Sequence, residues 1–195
     1  MEPTPILYSL HNCPYAIRAR MALLKAEQRV RIRSIKLDNK PAELLQASSK
    51  ATVPVLVLSE NQQPLLADEA RVLEQSLDIM VWALSKNDPH GLLGEDSYNQ
   101  LPLMLSFIEV FERRFDPALN AFGCAKRYHE DTVIPLRQEC ERELARLESR
   151  LTEHRFLFGE RESLVDIALL PFIRKFARID KQWFREAPYF KVRGC

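Results

Sequence analysis

Every stretch that reads as a β-strand falls within the first 84 residues, and every ordered stretch after residue 96 reads as helix. That division restricts the chain to a mixed α/β unit followed by an all-α one. "PILYSL" (5–10) is a short apolar strand pattern. "VRIRSIKL" (30–37) alternates, with Val30, Ile32, Ile35 and Leu37 inward and Arg31 and Arg33 outward, and slips once in its period. "VPVLVL" (53–58) is apolar throughout and predicts a buried strand. "ENQQ" turns the chain, and "PLLA" (64–67) returns as a short hairpin partner. Between these lie helical patterns. Ile17, Met21 and Leu24 follow Cys13 at helical spacing, and "AELLQA" follows Pro41. A third helix is expected from Asp68 to about Leu84, apolar around most of its circumference and therefore buried on both sides. The order is βαβ-α-ββ-α.

"SKNDPHGLLGED" (85–96), with Pro89, Gly91 and Gly94, interrupts both patterns and reads as a linker. The expected organisation is an α/β domain over 1–84, a linker over 85–96 and an all-helical domain over 97–195. In the helical half, Met104, Ile108, Phe111 and Phe115 mark one face of a helix running from about Tyr98 to Phe115. Cys140, Leu144, Leu147 and Leu151 make a stripe amid charges. Ser163 with Asp166 three residues on has the pattern of a capping box, opening a nearly apolar helix that Pro171 should kink.

Charge excludes some classes of partner. With 28 basic and 27 acidic residues, the formal net charge is +1, so no long-range field draws the chain to nucleic acid or an anionic membrane. No apolar run approaches the ~18–20 residues of a membrane span. The N-terminus lacks a signal-peptide pattern. Four cysteines, Cys13, Cys124, Cys140 and Cys195, are scattered without metal-site spacing, which fits a cytoplasmic chain with reduced thiols and no metal. Histidine spacing suggests no metal either, and paired carboxylates, a phosphate loop and a Ser-His-Asp set are missing.

One thiol stands in an unusual place. Cys13 lies between an apolar strand and a helix, directly before Pro14. Unpaired N–H groups and the dipole at a helix N-terminus favour an anion, and Arg18 and Arg20 follow within two turns. A cysteine placed only for packing has no need of such a position. The second mark is Pro54, at the mouth of a buried strand where it cannot donate to a ladder. A cis Val53–Pro54 bond accounts for it.

Together with the βαβ-α-ββ-α order, these features resemble the glutathione transferase superfamily over nearly the whole chain. Residues 5–84 resemble its thioredoxin-like domain, and the helices after the linker resemble its second domain. "CPYA" (13–16) is similar to the cysteine-type, omega-like branch and also to glutaredoxins, and "FLFGERESLVDIALLPFIRKFARID" (156–180) resembles the capping-box helix of that branch.

The resemblance implies a cytoplasmic homodimer with glutathione as co-substrate, and a small molecule or protein thiol as second substrate. Cys13 matches the cysteine that forms a mixed disulfide with glutathione, with Pro14 and Tyr15 beside it. Val53, before Pro54, matches the residue whose backbone pairs with the cysteinyl part by strand addition. Glu69 matches the acidic residue at the γ-glutamyl ammonium, and Glu69 and Ala70 are expected to open the third helix, facing the γ-glutamyl carboxylate. Lys40 stands where the family often has a basic residue near the glycyl end.

Three departures carry consequences. The family's Glu-Ser pair reads Glu69-Ala70, a lost hydroxyl worth about 0.5–1.5 kcal/mol of binding. Position 16 is Ala, so any redox cycle is monothiol. The chain ends at Gly194-Cys195, where the family continues into another helix, implying a shortened second-substrate pocket. The function implied is thiol transfer, deglutathionylation or dehydroascorbate reduction. The competing reading is a non-catalytic binding or stress-response protein on the same fold.

Overall fold

The computed structural model describes residues 4–58 and 72–188, and the chain divides into two units between Leu93 and Gly94. The first unit contains β1 (Ile6–Ser9), α1 (Pro14–Lys25), β2 (Arg31–Ser34), α2 (Ala42–Ala47), β3 (Val55–Val57), β4 (Val72–Leu73) and α3 (Ser76–Lys86). The order is the one read from the sequence. The strands form one sheet in the order β2-β1-β3-β4. β1 and β2 are parallel, with Leu7 opposite Ile32, while β3 runs antiparallel to β1, with Leu7 opposite Leu56.

Several boundaries and faces differ from the sequence reading. The third helix begins at Ser76, not Asp68: Val72 and Leu73, expected in that helix, form β4 and pair with Val57 and Leu56. Sheet pairing outweighs a helical pattern that was continuous only in composition, and Val72 is β-branched. The expected strand 64–67 lies outside the described residues.

The face of α1 also shifts. Ala16, Ala19 and Ala22 are fully buried, whereas Leu24 is 80% exposed. Small side chains let α1 sit close to its neighbours, so the buried stripe is alanine, not Ile17, Met21 and Leu24. In β2, Ile35 is buried just past the strand, but Ile32 and Leu37 are exposed, because β2 is the edge of the sheet and has less to pack against.

α3 is packed as expected, with Ile79, Met80, Trp82, Ala83 and Leu84 buried. α2 follows Pro41, which occupies its N-cap.

The second unit contains α4 (Ser97–Tyr128), α5 (Val133–Glu153), α6 (Leu164–Ile179) and α7 (Lys181–Glu186). α4 is a single helix of 32 residues rather than one ending at Phe115, and Pro102 and Pro117 lie inside it. Its buried stripe continues through Leu119, Phe122 and Ala125, so packing carries the helix past Pro117. His129 then ends it in the left-handed region at φ 57°. On α5, Cys140, Leu144, Leu147 and Leu151 are buried, as the stripe predicts. Phe176 of α6 is the aromatic hub, with ring centroids 6.0 Å from Phe115, 5.5 Å from Phe122 and 5.8 Å from Trp183.

The start of α6 is tied down by Asp166. Its Oδ2 accepts from Ser163 N at 2.8 Å and Ser163 Oγ at 2.7 Å, and its Oδ1 accepts from Leu157 N at 2.8 Å. One carboxylate thus caps the helix and anchors the preceding loop. Asp166→Ala is expected to destabilise the protein by about 2–4 kcal/mol. Asp166→Asn, which keeps one acceptor oxygen, should cost less; urea unfolding of both variants checks the order.

Candidate functional site

Cys13 occupies the N-cap of α1, in extended backbone at φ −73° and ψ 121°, and Pro14 follows at the first helical position. Proline suits that position because its missing N–H would have no intrahelical partner. The Cys13 carbonyl accepts from Ile17 N at 2.9 Å, which closes the first turn. The side chain is half-buried. Its Sγ lies 3.9 Å from the carbonyl oxygen of Val53, to which the thiol donates. Val53–Pro54 is cis, as the sequence suggested. The structure therefore brings together two of the marked segments, forty positions apart in the chain. Pro14 is buried and Tyr15 half-buried beside Cys13.

Arg18 and Arg20, which the sequence offered as nearby positive charge, have specific tasks. Arg20 straps the loop ahead of the thiol: it donates to Ser9 Oγ, to Leu10 O at 3.2 Å and to His11 O at 3.0 Å. Arg18 is only 2% exposed. Its Nε and Nη2 donate to Ser76 Oγ at 2.9 Å and 2.8 Å, and its guanidinium carbon lies 5.0 Å from the Tyr15 ring centroid. The side chain thus joins α1 to the first residue of α3.

Glu69 and Ala70 lie outside the described residues; α3 runs from Ser76. Its first turn is Ser76, Leu77 and Asp78, preceded by Glu74 and by Gln75 at the N-cap. The sequence reading did not mark Ser76 as the start of α3. The available signal was a serine just before the periodic run Ile79, Met80, Ala83 and Leu84. Glu74 approaches the loop before β3, with Oε2 3.5 Å from Lys50 Nζ. The Ser48 hydroxyl beside it holds the Glu74 carboxyl below the ordinary carboxylate range, and the attraction of Lys50 adds to this. Lys40 is half-buried between the Lys36–Asn39 turn and Pro41.

The arrangement sets a cysteine sulfur at a helix N-terminus beside the main chain of Val53. Among the described residues, no group of three or more His, Cys, Asp or Glu is placed to hold a metal ion, and no helix is long and apolar enough to cross a membrane.

Comparison with known proteins gives consistent results for both units. Residues 7–91 match the family "Glutathione S-transferase, N-terminal domain" and residues 108–193 match "Glutathione S-transferase, C-terminal domain". The mouse (Mus musculus) glutathione S-transferase omega-1 is 28% identical over 188 residues, covering 95% of this chain and 73% of the relative. Among solved structures, a glutathione transferase family member from Pseudomonas fluorescens, with two glutathione molecules bound, superposes with a TM-score of 0.81 at 20% identity, over 98% of this chain and 86% of the other. A glutathione transferase from Pseudomonas putida, with one glutathione disulfide bound per subunit, gives a TM-score of 0.79 at 20% identity, over 98% and 84%. These structures share the fold.

The remaining described cysteines differ sharply from Cys13 in setting. Cys124 is exposed on α4, while Cys140 is buried on α5. Burial first, then the negative charges of Glu139 and Glu141, push the Cys140 thiol up to about 12. In native protein at neutral to mildly alkaline pH, iodoacetamide is expected to label Cys13 and Cys124 and to spare Cys140 until urea is added; peptide mapping by mass spectrometry checks this.

Proposed function

Because the chain belongs to the glutathione S-transferase superfamily, as its two matched domains establish, we propose that it is a cysteine-type transferase that moves glutathionyl groups between thiols. The observation that carries this reading is Cys13 at the N-cap of α1, with its sulfur 3.9 Å from the Val53 carbonyl at the cis Val53–Pro54 bond. Similarity to an omega-1 transferase and to structures holding glutathione or its disulfide supports it.

In the proposed reaction the Cys13 thiolate attacks the glutathionyl sulfur of a mixed disulfide. A new disulfide joins Cys13 to glutathione, the old S–S bond breaks, and the substrate leaves as a thiolate that takes up a proton. The thiolate of a second glutathione then attacks the adduct, releasing glutathione disulfide and restoring Cys13. With Ala16 three positions on, no local thiol intervenes, so an external thiol resolves the adduct. Reduction of dehydroascorbate by two glutathione molecules would use the same sulfur.

Val53 supplies main-chain groups for the cysteinyl part, with Pro14, Tyr15 and Pro54 shaping its surroundings, and Lys40 serves the glycyl end. The γ-glutamyl carboxylate goes to the start of α3, at Ser76 and the N–H groups of Leu77 and Asp78. Glu74 and Asp78 add negative charge for the γ-glutamyl ammonium, the role that the family resemblance assigns to Glu69. Glu69 and Ala70, to which the resemblance gives the γ-glutamyl end, lie outside the described residues. The active unit is a cytoplasmic homodimer. Conjugation of electrophiles should be slow, because a cysteine captures glutathione as a disulfide instead of holding its thiolate by a hydrogen bond.

Incubating the protein with oxidised glutathione and measuring its mass tests the proposal. One glutathionyl adduct is expected on Cys13, removable by reduced glutathione. Cys13→Ala should form no adduct at that site and lose thiol-transfer activity by at least about a hundredfold with its melting temperature little changed. A Cys13→Ala variant with full activity would overturn the mechanism.

A further inference from the structure

We infer that the open edge of β2 is a docking site for an extended acidic peptide, which adds a strand to the sheet and seats an apolar side chain beside Ile32. The inference is independent of the glutathione reading.

β2 is the last strand of the sheet, with β1 on one side and, among the described residues, no strand on the other. Arg31 N donates to Pro5 O at 2.8 Å and Ile35 N to Ser9 O at 3.0 Å, so these residues turn their main chain towards β1. In a parallel pair only alternate residues bond a given neighbour. The N–H and C=O groups of Ile32 and Ser34 therefore face the open edge. Those are the groups that an added strand uses.

The first feature that marks this edge as a binding surface is a groove. Leu7, Leu23, Leu24, Val30 and Ile32 line a space of about 290 Å³ beside the strand. Leu24 is 80% exposed and Ile32 53%. An edge guarded against pairing covers its apolar side chains or replaces them with charge, and here two stand open. The space is small beside the roughly 300–1,000 Å³ of a small-molecule pocket, and it suits one or two side chains of a peptide.

The second feature is charge. Residues 29–36 carry Arg29, Arg31, Arg33 and Lys36 and no acidic residue, in a chain whose net charge is only +1. Arg33 meets Glu43 at 3.4 Å, in an exposed contact. Among the described residues, no carboxylate pairs with Arg29, Arg31 or Lys36. Arg31 and Arg33 stand on the face opposite Ile32, because successive side chains alternate. The fitting partner alternates likewise, with apolar residues towards the groove and acidic residues towards the arginines. A second copy of this chain does not fit, since β2 against β2 would set arginine against arginine. A nucleic acid would meet the charges but leave the groove and the edge groups unused.

Titration of the nitrogen-15-labelled full-length protein with synthetic peptides tests the inference. A peptide of about seven residues alternating glutamate with leucine should bind, shift the Ile32 and Ser34 amide resonances and protect both from solvent exchange. A peptide of the same composition, with its glutamates and leucines in separate blocks, should bind at least about fivefold more weakly, and one with lysine for glutamate should not bind measurably. Arg29→Glu combined with Arg31→Glu should weaken the alternating glutamate peptide by about tenfold or more and confer binding of the lysine peptide. Both arginines are exposed, so this variant should keep the wild-type fold. Leu24→Gln should weaken the glutamate peptide by about threefold. Absence of binding to wild type, equal binding of the block or lysine peptide, or unmoved Ile32 and Ser34 amides overturns the inference. So does competition by S-methylglutathione, which would place the peptide at Cys13, and so does a DNA duplex that moves the same resonances at lower concentration than the peptide. None of these results bears on glutathionyl transfer at Cys13, so the two readings fail separately.

Discussion

The contact on which the site depends joins Cys13 to the carbonyl of Val53, forty positions away. Neither residue is informative without the other. Cys13 alone is a thiol at a helix N-terminus, a feature many proteins have. Val53 alone is a β-branched residue before a proline. Their meeting requires β3 to lie against β1, which the pairing of Leu7 with Leu56 and Tyr8 with Val55 secures. The sheet thus delivers a main-chain segment to the sulfur, and α1 supplies a helix start behind it. Alanine at positions 16, 19 and 22 lets that helix pack closely.

Two arginines adjust this frame. Arg20 holds the Ser9–His11 loop from which the thiol emerges. Arg18 reaches the other way and ties α1 to Ser76. Counted as formal charges they are equivalent, two cations near a thiol. In the folded chain one braces a loop and the other joins α1 to α3. The difference comes from helical geometry: residues two apart in a helix point about 200° from each other, so they cannot serve the same neighbour. The second unit shows a similar economy of means, with Asp166 both capping α6 and anchoring the Leu157 loop.

Element order was legible because it rests on periodicity. The alternation of apolar runs and helical stripes over 1–84 was enough to order strands and helices, and the leucine stripe of α5 and the capping pattern of α6 were readable for the same reason. Boundaries that depend on distant partners were not readable. Val72 and Leu73 are continuous in composition with the helical run from Ser76 onward, yet they form a strand because Leu56 and Val57 lie beside them. That reading placed the start of α3 at Asp68 instead of Ser76. The exposed Ile32 was assigned inward because alternation cannot distinguish an edge strand from a central one. The position of Cys13 was legible from its two flanks, whereas the partner of Arg18 needed the packing of α1 on α3, which no local pattern encodes.

The central claim is that Cys13 is where glutathione is bound covalently, with its γ-glutamyl end at the start of α3. The most direct measurement is a crystal structure of the protein after reaction with oxidised glutathione. The account predicts a disulfide between Cys13 Sγ and the glutathione sulfur, the cysteinyl main chain paired with Val53, and the γ-glutamyl carboxylate within hydrogen-bond distance of Ser76 Oγ. Glutathione found on another cysteine, or on Cys13 with its γ-glutamyl carboxylate directed away from Ser76, would contradict it.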